Sequence, residues 1–323
     1  HPSVADRLHA IDPQGQLAST TLAQSPAQIT RPLAPRPKPR LQHIADGAPI
    51  AFAPTAGTER GADYRSALDI AAALRQRIPP SLRSVLNLPG GASAVVQGLL
   101  LSARPFVRSA QRDILMEHSN PVMVDAALRA HAQMVDLPQV LRLPLLDLAL
   151  PALRDLAPPE QEALLKTVHL LVLADGNVNA FELMTQVLLQ RVLRPEPLVR
   201  TTGMAAQHMR VVLSYIAYCG ARGDAQAAHQ AYQEALRQVP QLSLRDLLAL
   251  QECKPQSVRR SMLALSGMSP LDKQRCIALV QACAMPDQVV RVSQWEIVRV
   301  VCQCLEVHCP LAPPGLDTQI FIS

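Results

Sequence analysis

"ALLKTVHLLVLADGNVNAFELMTQVLLQRVLRP", Ala163 to Pro195, decides the fold. Leu164, Leu165, Val168, Leu171 and Val172 fall on one side of a 3.6-residue period and mark an amphipathic helix. Asp175-Gly176 ends that run with a turn. Asn179 and Glu182 then make an N-x-x-E capping box, in which each side chain bonds the other residue's backbone N–H. A second apolar helix follows and stops at Pro195, which lacks an N–H and cannot continue it. Two helices around an Asp turn form one helix–turn–helix unit.

A fainter copy lies near the C-terminus. Asp287 is followed by Ser293-x-x-Glu296, read as a second capping box, and by the apolar helix "WEIVRVVCQCLEV". Phe181-Glu182-Leu183 and Trp295-Glu296-Ile297 lie 114 positions apart, and the two aspartates 112 apart. Gln288 and Gln294 stand where the first unit has Gly176 and Glu182. Two related units are expected, the second with a longer turn.

Outward from these units the pattern stays helical. Ala67, Ile70, Ala71 and Leu74 make one stripe. "SLRSVLNLPGGASAVVQGLLL", Ser81 to Leu101, predicts a helix, a Pro-Gly-Gly break and a second, buried helix. "NPVMVDAALRAHAQM" starts with Asn120 as N-cap and Pro121 at the first helical position. "AAHQAYQEALRQVP" and "RSMLALSGMSPLDKQRCIALVQACA" supply further helices. No segment alternates with period two for long enough to make a strand. The expected class is all-α, a helical array.

The front of the chain differs. His1 to Asp12 predicts a short helix with Val4, Leu8 and Ile11 on one face. From Pro13 to about Gly61 prolines recur with almost no apolar period, which reads as an extended, partly polyproline linker. The expected organisation is a terminal helix over 1–12, a linker over 13–60, a helical region over 61–140, the two-unit domain over 141–312 and a tail over 313–323.

Composition narrows the function. Hydrophobic residues make up 49% of the 323, enough for a sizeable core. The 31 Lys+Arg against 26 Asp+Glu give a formal charge of only +5, and the basic residues are scattered. One Trp, four Tyr and four Phe leave few platforms for stacking bases. Both features argue against a nucleic-acid partner. No run reaches the ~18 apolar residues that span a bilayer. Seven cysteines in a chain with this core read as reduced thiols in a cytoplasmic setting. Cys276 and Cys283, seven apart, share a helical face as core residues do, whereas Cys302 and Cys304 point to different sides. No C-x-x-C pair suggests zinc, and no G-x-S-x-G elbow or phosphate loop is present.

Two stretches resemble a known family. "HPSVADRLHAID" resembles the segment that follows the zinc motifs in HtpX-like membrane zinc metallopeptidases, with His1, Pro2, Arg7 and Leu8 on its H-P-x-x-x-x-R-[IL] pattern. "LRLPLLDLALPALRDLAPPEQEALL" through "ADGNVNAFELMTQVLLQRVL" is similar to the C-terminal extension of a bacterial subgroup of those peptidases. That extension is similar in turn to the tellurite-resistance TerB-like helical domain, with its D-G-x-[IV]-x-x-x-E turn. The resemblance implies a C-terminal part of a larger peptidase, on the cytoplasmic side of the bacterial inner membrane. Its partner would be an upstream catalytic domain of the same polypeptide, which holds the zinc. The zincin motif H-E-x-x-H, with two His on one helical face and a Glu beside the metal-bound water, does not occur in these 323 residues, so this chain itself is expected to be inactive. A free-standing helical scaffold is the alternative.

The candidate site residues follow. The family places His1 and Arg7 next to the active site. Asp175, Asn177 and Asn179 sit at positions 1, 3 and 5 of an oxygen-ligand loop, with Glu182 beyond, a pattern suited to Ca²⁺ or Mg²⁺. Ala180 at position 6 and Gln186 at position 12 exclude an EF-hand. The TerB-like resemblance implies divalent cations at this turn, while the capping box accounts for Asn179 and Glu182 with no metal. His169, beside an apolar stripe, reads as a packed or half-exposed histidine.

Overall fold

The computed structural model describes residues 71–195, 205–239, 244, 246–285 and 289–309, together with two dipeptides at 40–41 and 50–51. His1, Arg7, the 1–12 helix, Asp287, Gln288 and the 313–323 tail lie outside the described residues, as does the proline-rich segment apart from those two dipeptides.

The described residues form an all-α array. After a helical stretch over 71–77 come α1 (Pro80–Val85), α2 (Pro89–Leu99), α3 (Pro105–His118), α4 (Pro121–Met134), α5 (Arg142–Arg154), α6 (Pro158–Leu173) and α7 (Ala180–Leu193). Then follow α8 (Ala205–Gly220), α9 (Ala225–Gln238), α10 (Pro255–Ala264), α11 (Pro270–Ala284) and α12 (Val292–Leu305). Three short 3-10 turns (Gln139–Leu141, Leu250–Glu252 and Leu265–Gly267) and four two-residue strands accompany them: β1 (Arg40–Leu41), β2 (Ile50–Ala51), β3 (Asn177–Val178) and β4 (Val289–Val290).

The helix starts are local chemistry. The side chain of Asn120 accepts from the Met123 N–H at 2.8 Å, with Pro121 in the first turn, as its sequence predicts. Asp224 and Ser269 cap α9 and α11 in the same way. Alanine holds the cap of α6, where only half a box forms: Glu160 accepts from the Ala157 N–H at 2.9 Å.

Two expectations on the N-terminal side need correction. The Pro-Gly-Gly of residues 89–91 is not a break; it is the first turn of α2, with Pro89 in the position where a missing N–H costs nothing. The break is the turn just before it, and a Cβ on Gly91 would stand 2.1 Å from the Val85 carbonyl oxygen, so only glycine lets the two helices follow so closely. In the stripe before α1, Leu74 is buried as expected, but Ala71 is exposed and Ile78 joins Leu74 inside; Ala67 and Ile70 lie outside the described residues.

The core is one hydrophobic cluster running from Leu74 to Leu305, and it crosses residue 140 without interruption. Burial of this apolar surface is the main favourable term in folding. Helix α2 lies within it, with every residue from Ala92 to Gly98 buried, between α4 and α5. A Cβ on Gly98 would lie 2.8 Å from the Ala127 carbonyl oxygen and 2.9 Å from the His131 backbone nitrogen, so glycine sets the closeness of α2 and α4. Helix α7 packs on α5, α6, α10 and α12, while α8 packs on α9, α10 and α11.

The two turns share a device that periodicity does not announce. β3 precedes α7 and pairs in parallel with β1; β4 precedes α12 and pairs antiparallel with β2. In each unit the chain is extended for two residues and then enters the helix one residue later. The structural equivalence is therefore Asn179 with Arg291 and Glu182 with Gln294, each 112 positions apart. The Ser293–Glu296 box does not form. Helix α12 starts two residues earlier than that box requires, and Gln294 accepts from the Arg291 N–H at 3.2 Å instead. Ser293 and Glu296 are both buried in the first turns of α12.

Candidate functional site

The Asp turn is built from its own backbone outward. Helix α6 ends with Gly176 at φ 75°, a left-handed conformation that glycine adopts without a steric cost. The Asp175 carboxylate accepts from the Asn177 N–H at 3.0 Å, closing an Asx turn. The box predicted for α7 is present in both halves: Glu182 N–H to the Asn179 side chain at 3.0 Å, and Asn179 N–H to the Glu182 carboxylate at 2.9 Å.

Around the turn the tertiary fold adds four groups that periodicity could not place. Arg104, at the start of α3, forms an ion pair with Asp175. Arg142, at the start of α5, lies with its guanidinium 4.5 Å from the centre of the Phe181 ring and bonds the buried Glu296 carboxylate at 3.3 Å. Arg142 of α5 thus touches both the Phe181 ring of the first unit and Glu296 of α12 in the second. Gln111 donates to the Leu100 carbonyl at 2.8 Å and to the Leu171 carbonyl at 3.1 Å, and accepts from the Ser102 N–H at 2.7 Å. It fastens the loop after α2 to α6. His131 holds its Nδ1 3.0 Å from the Gly98 carbonyl oxygen. A carbonyl can only accept, so Nδ1 carries a ring proton.

These residues surround a cavity of about 510 Å³ between the α2–α3 loop, the end of α4, the start of α5 and the Asp turn. Its polar edge is Arg104, His131, Arg142, Asp175 and Glu182; leucines 99–101, Val107 and Met134 supply its apolar wall. Burial pushes the Glu182 carboxyl from 4.5 to about 7, and the nearby Asp175 charge adds to that rise. The Asn179 N–H, Arg142 and Arg104 oppose it.

The structure brings Asp175, Asn177, Asn179 and Glu182 to one turn. It also shows where their oxygens are used: one Asp175 oxygen on Asn177 and the other on Arg104, the Asn179 oxygen on the Glu182 N–H, and one Glu182 oxygen on the Asn179 N–H. Among the described residues no group of three or more His, Cys, Asp or Glu side chains is arranged to hold a metal ion. His169 lies on the exposed side of α6, away from this cavity. Cys276 and Cys283 are fully buried, as core residues.

A second cavity, of about 640 Å³, lies at α12. Leu74, Ile78, Pro144, Leu148 and Trp295 give it apolar walls, and the Asp147–Arg299 ion pair and the Cys302 and Cys309 thiols also line it. Arg299 stacks over Trp295 at 5.3 Å, as Arg142 does over Phe181. No described helix is long and apolar enough to cross a membrane. Compared with protein-family models, curated proteins and solved structures, the chain shows no match.

Proposed function

We propose that this chain is a noncatalytic regulatory or interaction region of a bacterial membrane-bound zinc metalloendopeptidase, built on a TerB-like helical domain. The observation that carries the reading is the "DGNVNAFE" turn. Its Asp, Gly and Glu, the residues of the resemblance, each have a separate structural role, as Asx turn, left-handed helix end and helix cap respectively. The turn also borders a 510 Å³ cavity whose edge carries both signs of charge. Such an edge orients a ligand or a partner's side chain; it does not by itself perform hydrolysis. On this reading zinc belongs to the parent's catalytic domain, and the peptidase domain is the partner in the same polypeptide.

The reading is tested on the gene and on the protein. The reading frame upstream of codon 1 should encode H-E-x-x-H and apolar membrane spans. The purified chain should show no chelator-sensitive cleavage of casein, with or without added Zn²⁺. A start codon directly before His1, with no zincin motif, would overturn the peptidase reading in favour of a free-standing helical scaffold.

A further inference from the structure

Helix α12 ends in a way that turns the chain back on itself. Glu306 takes the left-handed conformation at φ 60°, and the Val307 N–H bonds the Cys302 carbonyl at 3.0 Å. This is the 6→1 bond of a Schellman ending, which reverses the chain against the last helical turn. The residues that follow, Val307 to Cys309, therefore run along the wall of the 640 Å³ cavity, where Cys302 already sits. The two thiols meet there, with the Cys309 and Cys302 side chains hydrogen-bonded to each other.

We propose that Cys302 and Cys309 form a reversible disulfide when the protein meets hydrogen peroxide. Their accessibility sets the order of events. Cys302 is 1% exposed and Cys309 is half-buried; the other five cysteines are all buried. The hydrogen bond that the Cys302 S–H donates to the Cys309 sulfur, together with burial, holds the Cys302 thiol protonated, so the first attack belongs to the more accessible Cys309. The Cys309 thiolate attacks one peroxide oxygen, the O–O bond breaks, and the departing hydroxide takes up the proton released by the thiol. Cys309 is then a sulfenic acid and one water has left. The Cys302 sulfur attacks the Cys309 sulfur, an S–S bond forms, the S–O bond breaks, and the hydroxide leaves with the Cys302 proton as a second water. Two thiols have lost two electrons and one hydrogen peroxide has gained them. A dithiol reductant reverses the step by exchange.

The link would pin the segment leaving α12 to the cavity wall, where Trp295 is also found. Trp295 is the chain's single tryptophan, so its emission reports on this site alone.

The test uses the full chain. It is oxidised with hydrogen peroxide, its remaining thiols are alkylated in denaturant, and it is digested with trypsin and a Glu-specific protease. Cleavage after Arg299 and Glu306 separates Cys302 and Cys304 from Cys309. Two of the seven thiols should disappear per chain, and the fragment 300–306 should be joined to the one beginning at 307. Trp295 emission should fall on oxidation and return with dithiothreitol. The link and the emission change should survive in Cys304→Ala and vanish in Cys309→Ser, whose site is half-exposed and tolerant. All seven thiols still free after oxidation, a link that survives in Cys309→Ser, or a link lost in Cys304→Ala but kept in Cys302→Ala would overturn the proposal.

Discussion

Replacing Glu182 by Gln should make stability less dependent on pH, and the size of the change follows from the site. The folded carboxyl titrates at about 7, against 4.5 for an ordinary glutamate, because it is taken out of water beside Asp175. Between those two values the folded chain binds more protons than the unfolded one, so stability falls as pH rises. The contribution is fully present below about pH 4.5 and is lost by the time pH passes about 7. At about 1.4 kcal/mol per pH unit, the gap between 4.5 and about 7 is on the order of 3 kcal/mol. Relaxation around the ionised group reduces this, so the expected difference is about 1–3 kcal/mol.

Gln keeps the carbonyl oxygen that accepts from the Asn179 N–H and never ionises. The second unit already has this arrangement, since buried Gln294 accepts from the Arg291 N–H. Urea unfolding of wild type and Glu182→Gln from about pH 4.5 to 8 gives the test. Taking the difference between the two proteins removes what they share, including the buried Asp147, whose carboxyl is also raised. The curves should meet at the acid end and separate by about 1–3 kcal/mol at the alkaline end, with Gln the more stable. Asp175→Asn should move the midpoint of the wild-type change to lower pH, because one repelling charge is gone. Parallel curves, or a Gln variant that is less stable at pH 8, would refute the electrostatic account of this cap.

Other outcomes follow from single contacts. Gly98→Ala should destabilise by about 1–3 kcal/mol in urea melts, the usual range for overpacking, because its Cβ would meet backbone atoms of α4. Asn120→Ala should cost about 1 kcal/mol through loss of its bond to Met123, with Asn120→Ser recovering most of it. Leu183→Ala, at a fully buried position of α7, should cost about 2–5 kcal/mol. Millimolar Ca²⁺ or Mg²⁺ should leave the melting temperature unchanged; a saturable rise that disappears in Asp175→Asn would show that the turn takes a cation in place of Arg104.

Which features are legible in the sequence depends on how far apart the interacting groups lie. Asn120 and Asn179 can be read because a helix cap is settled within four residues. The all-α class can be read because apolar spacing repeats along every long segment. The start of α12 departs from its sequence pattern for a physical reason. Ser293 and Glu296 have capping side chains at capping spacing, but Glu296 is recruited by Arg142 from 154 positions away, and Arg291, with no acceptor, takes the cap. The partners of the Asp turn are illegible for the same reason. Arg104 lies 71 positions from Asp175 and carries no local mark that distinguishes it from any other surface arginine.

The two units show how one backbone device is held by different chemistry. Both place an extended dipeptide before a helix whose third residue reaches back to the cap N–H. The first unit uses a carboxylate for that reach, and so collects Arg104 and Arg142 around it. The second uses the uncharged amide of Gln294 for that reach, while its acidic residue, Glu296, turns away to bind Arg142. Arg142 thus faces the Glu182 turn, the Phe181 ring and the buried Glu296 at once. One side chain therefore serves both the Asp-turn cavity and the α5–α12 contact, and removing the Arg142 charge should loosen α12 at Glu296 and raise the Glu182 carboxyl further.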